Sequence, residues 1–153
     1  MIGAALLLAL QPTPVSAEGR WAAFELPSHC EARGRAWREL KDATEQPRIA
    51  FSFRPDGRIE MFANLRRVMR EGATVMIAVD GQPFLLAGQG RQAWSQGNEQ
   101  AIIAALRTGS RLRVTATDRA GRRFTDYYPI DGVQTAIDAA AACAAKKAGN
   151  KGA

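Results

Sequence analysis

Three stretches of the chain alternate apolar and polar residues on both sides of a glycine turn, which is the pattern of a β-hairpin. RIAFSFRPDGRIEMFAN places Asp56-Gly57 between two alternating runs, and ATVMIAVDGQPFLLAG repeats the arrangement at Asp80-Gly81. RLRVTATDRAGRRFTDYY does so again, with a slightly longer turn around Gly121. Asp-Gly pairs supply the positive φ that tight hairpin turns need. These stretches therefore predict six antiparallel strands.

The period of two also predicts which side of each strand is buried. Ile49, Phe51 and Phe53 share one side of the first hairpin. In the third hairpin Leu112, Val114 and Ala116 share a side, and the opposite side carries Arg111, Arg113, Thr115 and Thr117. Two earlier segments, WAAFEL around Trp21 and CEARGRAW from Cys30 to Trp37, also read as strands, and Asp42 to Pro47 reads as a loop.

Two segments change to helical spacing. NEQAIIAALRTG contains helix formers throughout, with Asn98 placed to cap its start and Gly109 placed to end it. We expect its apolar stripe to consist of Ile102, Ala105 and Leu106, with Ile103 beside it.

A second helix is expected to begin at about Asp131, whose carboxylate can cap exposed N–H groups. Its apolar face is predicted from residues that recur at helical spacing. These are Val133, Ala136, Ile137, Ala140, Ala141 and Ala144, with Cys143 at the margin of the face. Alanines allow a helix to lie close to a sheet, and KKAGNKGA beyond it reads as a frayed basic tail.

Together these elements predict a mainly β protein with two packed helices, with an α+β arrangement as the alternative. A chain of 153 residues has room for one domain with a sizeable core. We expect a signal peptide at residues 1–17, a single domain at 18–146 and a flexible basic tail at 147–153.

The signal peptide is predicted from the short apolar run Gly3 to Leu10, which Pro12 and Pro14 follow. Val15-Ser16-Ala17 fits the small-x-small pattern that signal peptidase accepts, so the mature chain is expected to start near Glu18. No transmembrane segment is expected after cleavage, because the run is far shorter than the ~20 residues that span a bilayer. The alternative is an apolar N-terminal strand or a tail held by packing.

The chain contains two cysteines, Cys30 and Cys143. An even number of cysteines in an exported protein indicates a disulfide, whereas a reducing cytosol would favour two unrelated thiols. We expect a Cys30–Cys143 disulfide and a periplasmic location.

The usual catalytic and metal-binding patterns are weak. His29, the only histidine, lies between Ser28 and Cys30, and neighbours on an extended strand point to opposite faces. The His, Cys and carboxylate residues do not supply a convincing zinc site, and we expect no metal and no cofactor. GQGRQ from Gly88 lacks the Lys-Ser/Thr ending of a phosphate-binding loop and reads as a turn between short strands.

The chain is basic, with 21 Lys+Arg against 15 Asp+Glu and a formal charge of +6. The arginines concentrate in three groups. Candidate anion-binding residues are Arg33, Arg35 and Arg38, together with Arg119, Arg122 and Arg123; Arg66, Arg67 and Arg70 form the third group. They suit lipopolysaccharide, acidic lipid headgroups or peptidoglycan carboxylates. The alternative is a solvated sheet face that keeps the protein soluble.

Two adjacent tyrosines, Tyr127 and Tyr128, close the third hairpin. Such a pair usually has one ring in the core and one at its rim, and either ring is able to stack on a sugar. Nucleic acid is not an expected ligand of an exported protein.

From about Ala73 onward the chain resembles the invasion-associated locus B family of proteobacterial envelope proteins. The shared pattern is a helix ending in AL-x-x-G, an LRV-type strand, a Gly-turn hairpin and a final L-x-G-F-x-x-AL helix. Matching residues are Ala105-Leu106, Gly109, Leu112-Arg113-Val114, Gly121, Ile130, Gly132, Val133, Ala136 and Ile137, with Val133 in place of the usual aromatic residue. Members commonly have cysteines just ahead of the first helix, and LLAGQGRQAW has none.

The resemblance covers roughly half of the chain. It implies an immunoglobulin-like antiparallel β-sandwich and an exported location, and it carries no catalytic residues. The expected function is therefore non-enzymatic: a binding or structural role in the cell envelope, with an envelope protein or an anionic envelope polymer as partner. The alternative is a small periplasmic hydrolase or inhibitor module that acts on peptidoglycan.

Overall fold

The computed structural model describes residues 11–150, so the apolar run at 3–10 lies outside it. The described chain forms ten strands, two α-helices and one 3₁₀ turn (Ala43–Glu45). The elements are β1 (Thr13–Glu18), β2 (Trp21–Glu25), β3 (Cys30–Arg35), β4 (Arg48–Phe53), β5 (Ile59–Asn64), β6 (Val75–Val79), β7 (Gln82–Gln89), β8 (Gln92–Trp94), α1 (Glu99–Thr108), β9 (Leu112–Thr117), β10 (Arg123–Tyr128) and α2 (Val133–Asn150).

All strand pairs are antiparallel, in the order β1-β2-β3-β4-β5-β8-β7-β6-β9-β10. Strand β7 belongs to both halves of this sheet. Its residues 82–86 pair with β6, and its residues 87–89 pair with β8. The result is an open, mainly β sandwich with two helices, which confirms the fold class expected from the sequence.

The three predicted hairpins are present as β4–β5, β6–β7 and β9–β10. Their turns contain Gly57, Gly81 and Gly121, each with positive φ, and Asp80 also has a φ of 50°. Two successive positive φ values at Asp80 and Gly81 are typical of the two-residue turn that matches the twist of a hairpin. The predicted turn in GQGRQ is also present, between β7 and β8.

We call the half of the sheet formed by β1 to β5 and β8 the first sheet, and the half formed by β6, β9, β10 and the start of β7 the second sheet. Helix α2 packs against β1 to β4 and covers the inner side of the first sheet. Trp21 lies beneath it, fully buried, and its indole N–H donates to the carbonyl of Pro129 at 2.7 Å. Gly34 is the cross-strand partner of Trp21, and a Cβ at position 34 would meet the indole ring. The glycine therefore makes room for the largest side chain of the core.

The buried side of α2 differs from the predicted one at a single position. Val133, Ala136, Ile137, Ala140 and Ala144 are buried as expected, and Cys143 is buried with them, whereas Ala141 is exposed. Cys143 lies in the buried stripe, and its disulfide joins that side of the helix to Cys30 of β3. The helix begins at Val133 and continues to Asn150, so residues 147–150 of the expected tail are helical.

Helix α1 begins as predicted, but Asn98 does not cap it through its side chain. The Asn98 amide donates instead to the carbonyl of Leu85 at 2.9 Å, which ties the start of the helix to β7. Ile102, Ile103 and Leu106 are buried, as the helical spacing predicted.

Strand β1 forms one edge of the sheet. It pairs with β2 across an irregularity between Pro14 and Ser16, and most of its residues are exposed. Proline and a bulge are common on edge strands, where they discourage further pairing. The predicted cleavage motif Val15-Ser16-Ala17 lies within β1. No helix within residues 11–150 has the length and the apolar character that crossing a bilayer requires.

Candidate functional site

The outer side of the first sheet carries a cleft of about 530 Å³ whose lining is rich in arginine. Arg33 and Arg35 are two residues apart on β3, so their side chains share a face of the sheet. Register places Arg35 opposite Arg48 of β4, and Arg20 precedes β2. We call this the arginine cleft: Arg20, Arg33, Arg35 and Arg48, with Glu39 as the one acidic residue in its lining.

Arg20 is held in place from three sides. Its guanidinium donates to the carbonyl of Ala36 at 3.1 Å and to a carboxylate oxygen of Glu39 at 2.9 Å. The same group lies over the indole ring of Trp37, 5.2 Å from the ring centroid. A cation stacked on an aromatic face gains attraction from the ring quadrupole and keeps its N–H edges free to donate.

Arg33 is also fixed by an acid and a ring. Its Nε donates to Glu31 at 2.6 Å, and its guanidinium lies 4.8 Å from the centroid of Phe24. Burial acts to raise the pKa of Glu31, but hydrogen bonds from His29 and Arg33 outweigh burial and hold that pKa below its ordinary value of 4.5. Glu31 is therefore ionised at neutral pH and compensates much of the charge of Arg33.

Arg35 and Arg48 are the less compensated cations of the arginine cleft. Arg35 is exposed and makes no side-chain hydrogen bond or ion pair with a residue in the described part of the chain. Arg48 donates one bond from its guanidinium to the carbonyl of Ala43 at 2.7 Å. Its Nε–H is buried and has no acceptor among the described residues. An unpaired buried donor is costly.

Beside the cleft, Ser28, His29 and Glu31 form a row of polar groups. Ser28 Oγ lies 3.0 Å from His29 Nδ1, and His29 Nε2 lies 2.8 Å from Glu31 Oε1. This is the order of groups in a Ser-His-acid triad. The acid, however, is also bound by Arg33 and by the hydroxyl of Ser52 at 3.3 Å, and neither Ser28 nor His29 lines the arginine cleft. His29 instead helps to keep Glu31 ionised, because its hydrogen bond lowers the pKa of that carboxyl.

The six predicted anion-binding arginines do not form one surface. Arg33 and Arg35 line the arginine cleft, and Arg38 is exposed in the loop after β3 but does not line it. Arg119, Arg122 and Arg123 lie on and beside the β9–β10 turn. All three are exposed, and Arg123 lines a separate groove with Arg70. Strand pairing separates the two groups because β3 and β10 belong to different halves of the sheet.

Two arginines of the remaining group, Arg66 and Arg67, form structural contacts, whereas Arg70 is exposed and lines the groove with Arg123. Arg66 donates from its backbone N–H and from Nε to the two carboxylate oxygens of Asp126, at 3.3 and 3.0 Å. Burial raises the pKa of Asp126 and outweighs the opposing effect of Arg66. Arg67 pairs with Asp118 at 3.0 Å, and both guanidinium groups lie over Phe124. These contacts fasten the segment after β5 to the β9–β10 hairpin.

Within the described residues, the metal-ligating side chains converge at one place. A carboxylate oxygen of Glu25 and the sulfurs of Cys30 and Cys143 all lie within 4.8 Å of one another. The two sulfurs are bonded to each other in the predicted disulfide, so they offer no thiolate to a metal. Glu25 Oε2 lies 3.6 Å from Cys143 Sγ.

Sequence reasoning missed Arg20, Arg48 and Trp37, which complete the cleft and its surroundings. The sequence carried a signal for Arg48, which is the first residue of an alternating strand. The register of β3 and β4 places its side chain on the same face of the sheet as that of Arg33. Arg20 and Trp37 lie at strand ends and carry no periodic signal.

No protein-family model matches the sequence, and no curated protein matches it. Among solved structures, the fold is similar to that of invasion associated protein B from Bartonella henselae, with a TM-score of 0.59 and 17% sequence identity. The match covers 85% of this chain and 96% of that protein's chain. At this identity the likeness establishes a shared fold, which agrees with the fold that the sequence resemblance implied.

Proposed function

We propose that this protein is an exported, non-enzymatic binding protein of the bacterial cell envelope, and that the arginine cleft holds anionic groups of an envelope polymer. The observation that carries the proposal is the pairing of Arg35 and Arg48 across β3 and β4. Neither guanidinium meets a carboxylate of the described chain, although both line the same cleft. Two like charges side by side favour a shared anionic partner, because repulsion between them is relieved when it binds.

Several observations support an extracytoplasmic setting. A disulfide such as Cys30–Cys143 persists in oxidising compartments and is rare in a reducing cytosol. The similar fold belongs to invasion associated protein B of Bartonella henselae. The arrangement that supports a hydrolase instead is the row Ser28, His29 and Glu31, and we expect it to be unreactive because Glu31 is engaged by Arg33.

The proposal is tested with Arg35→Glu and a matched control, Arg119→Glu. Both arginines are exposed, and neither forms an ion pair within the described chain, so neither substitution breaks an existing pair. The two variants change the net charge by the same amount. Binding of the full exported protein to poly-L-glutamate is measured by fluorescence anisotropy at about 10 mM and about 150 mM salt.

We expect Arg35→Glu to weaken binding at low salt by roughly tenfold or more and Arg119→Glu to change it by less than about twofold. Binding of the parent should also fall clearly at the higher salt concentration, because exposed charges are screened beyond a Debye length of about 8 Å. Equal effects of the two variants would mean that only net charge matters and that the arginine cleft is not the site.

A further inference from the structure

Two exposed aromatic residues, one in the loop after β3 and one in β10, are joined through their backbones. Trp37 is 57% exposed and Tyr127 is 58% exposed. The backbone N–H of Trp37 donates to the carbonyl of Tyr127 at 2.8 Å, so the two residues are anchored on neighbouring backbones. Large aromatic rings gain free energy when they leave water, and an exposed pair is therefore a surface to which a ligand can add contact area.

Tyr127 belongs to a second cleft, of about 630 Å³, on the outer side of β6, β9 and β10. Register places Arg113 directly opposite Tyr127 and Ala78 opposite Arg113. Arg111 also lines this cleft and is exposed. We call it the tyrosine cleft: Arg111, Arg113 and Tyr127, with Asp80 and Ser110 at one end. Asp80 accepts bonds from the backbone N–H groups of Ser110 and Arg111, which compensate its charge.

The two clefts are connected through the aromatic pair. The guanidinium of Arg20, which lines the arginine cleft, lies over the indole ring of Trp37. The backbone N–H of Trp37 donates to the carbonyl of Tyr127, which lines the tyrosine cleft. Trp37 itself lines neither cleft, but it contacts Arg20 of the arginine cleft, and Tyr127 lies opposite Arg113 of the tyrosine cleft. An extended ligand that crosses this region meets charge, then aromatic surface, then charge.

We infer that the ligand is an acidic polysaccharide that runs across both clefts, and this inference rests on the anion binding proposed above. The apolar C–H faces of its sugar rings pack on Trp37 and Tyr127. Its carboxylate or phosphate groups bind Arg35 and Arg48 at one end and Arg111 and Arg113 at the other. Single-stranded nucleic acid also combines stacking with charge. The disulfide favours the glycan, because it indicates a compartment outside the cytosol.

The test separates the rings from the charges. Trp37→Leu and Tyr127→Leu keep an apolar side chain but remove the flat aromatic face, and Phe62→Leu is the matched control. Phe62 is 46% exposed on β5, and it lines neither cleft. Binding of the full exported protein is measured to four probes: soluble peptidoglycan fragments, lipopolysaccharide, poly-L-glutamate and an oligodeoxythymidine. The first two are acidic glycans whose anionic groups differ, carboxylate in one and mainly phosphate in the other.

We expect Trp37→Leu and Tyr127→Leu each to weaken binding of at least one acidic glycan by about fivefold or more. Tyr127→Leu should leave poly-L-glutamate binding unchanged, and Phe62→Leu should have no effect on any probe. Trp37→Leu should weaken glycan binding by a larger factor than poly-L-glutamate binding, because Trp37 also supports Arg20 of the arginine cleft. The glycan that loses affinity identifies the source of the anionic groups. Thermal unfolding of each variant establishes that it is folded.

Two outcomes overturn the inference. Glycan binding that is unchanged in both aromatic variants shows that the rings do not contact sugar. The anion-binding proposal is then tested by Arg35→Glu alone. Tighter binding of the parent to oligodeoxythymidine than to either glycan assigns the surface to nucleic acid instead. A loss of all binding in Arg35→Glu, together with fivefold effects of the aromatic variants, supports both proposals.

Discussion

Cys30 in β3 and Cys143 in α2 are joined by a disulfide that spans 113 positions of the chain, with their Cα atoms 6.1 Å apart. The bond connects the middle of an alanine-rich helix to the first residue of β3. Alanine side chains bury little apolar area, at about 25 cal/mol for each Å², so packing alone holds α2 weakly. The disulfide therefore joins the first strands to the C-terminal helix that covers them.

Cys143→Ala should lower the stability of the protein by about 2–5 kcal/mol, because it frees a loop whose closure is worth roughly 4.7 kcal/mol in the chain-entropy model. Urea unfolding of the exported protein measures the effect. The reduced parent should unfold at nearly the same urea concentration as the variant. Two thiols that react with a labelling reagent in the unreduced native protein would refute the disulfide.

Processing of the N-terminus is predicted to remove most of β1, because Val15-Ser16-Ala17 lies inside that strand. The intact mass of the periplasmic protein should correspond to a chain that starts at or near Glu18. The edge of β2 would then lack its partner, and its outward amides should exchange with deuterium faster than those that pair with β3. Recovery of a Met1-containing chain from the cytoplasm would contradict export.

Gly132 should tolerate alanine less well than Gly57. Both glycines have nearly the same positive φ, 89° and 88°, so the backbone penalty of about 1–2 kcal/mol is common to both substitutions. A Cβ at Gly57 meets nothing within 4 Å, whereas one at Gly132 would overlap the carbonyl of Glu18.

We therefore expect Gly132→Ala to cost about 1–3 kcal/mol more than Gly57→Ala, measured by urea unfolding of the two variants. The difference reports the contact between residue 18 and the start of α2. Equal losses of stability in the two variants would mean that the backbone around Glu18 shifts to accommodate the added methyl group without strain.

Arg66→Ala should destabilise the fold far more than Arg67→Ala. The side chains of Arg66 and Asp126 are 13% and 1% exposed, and removal of one partner of a buried pair costs about 3–5 kcal/mol. Arg67 is 43% exposed, and its partner Asp118 keeps backbone donors from Ala120 and Arg122, so its loss should cost no more than about 1 kcal/mol. Thermal unfolding of the two variants tests the difference, and similar midpoints would contradict it.

Glu31 should contribute to the loss of stability in acid. Its pKa in the folded protein lies below the ordinary value of 4.5, because hydrogen bonds from His29 and Arg33 outweigh the effect of burial. The stabilisation is therefore complete above about pH 4.5 and is lost as the pH falls through the lowered pKa.

Glu31→Gln removes this contribution. The thermal midpoint of the variant should fall less steeply than that of the parent below pH 4.5, whereas the two slopes should match between about pH 8 and pH 9, above the range in which carboxylates and histidines ordinarily titrate. Parallel curves over the whole range would show that Glu31 is not among the carboxylates responsible.

The sequence by itself determined most of the elements and most of their buried sides, although it assigned most of β1 to a signal peptide and placed Ala141 on the buried face of α2. Alternation predicted Ile49, Phe51 and Phe53 as one buried face, and the glycine turns predicted the three hairpins, because both depend on a few neighbouring residues. The disulfide followed from the count of cysteines and the expected compartment. As expected, Tyr127 lies at the surface and Tyr128 in the core, with 58% and 3% of their surface exposed.

The tertiary structure decided which of these elements meet. The Asn98 side chain donates to Leu85 of β7 instead of capping its helix, and Arg66 pairs with the carboxylate of Asp126, 60 positions away. The arginine cleft depends on the register that sets Arg35 beside Arg48, and the aromatic pair depends on a bond between Trp37 and Tyr127. Contacts between distant segments follow from the register of the whole sheet, which is fixed by burial of both sheets and both helices together and is not encoded in any short stretch.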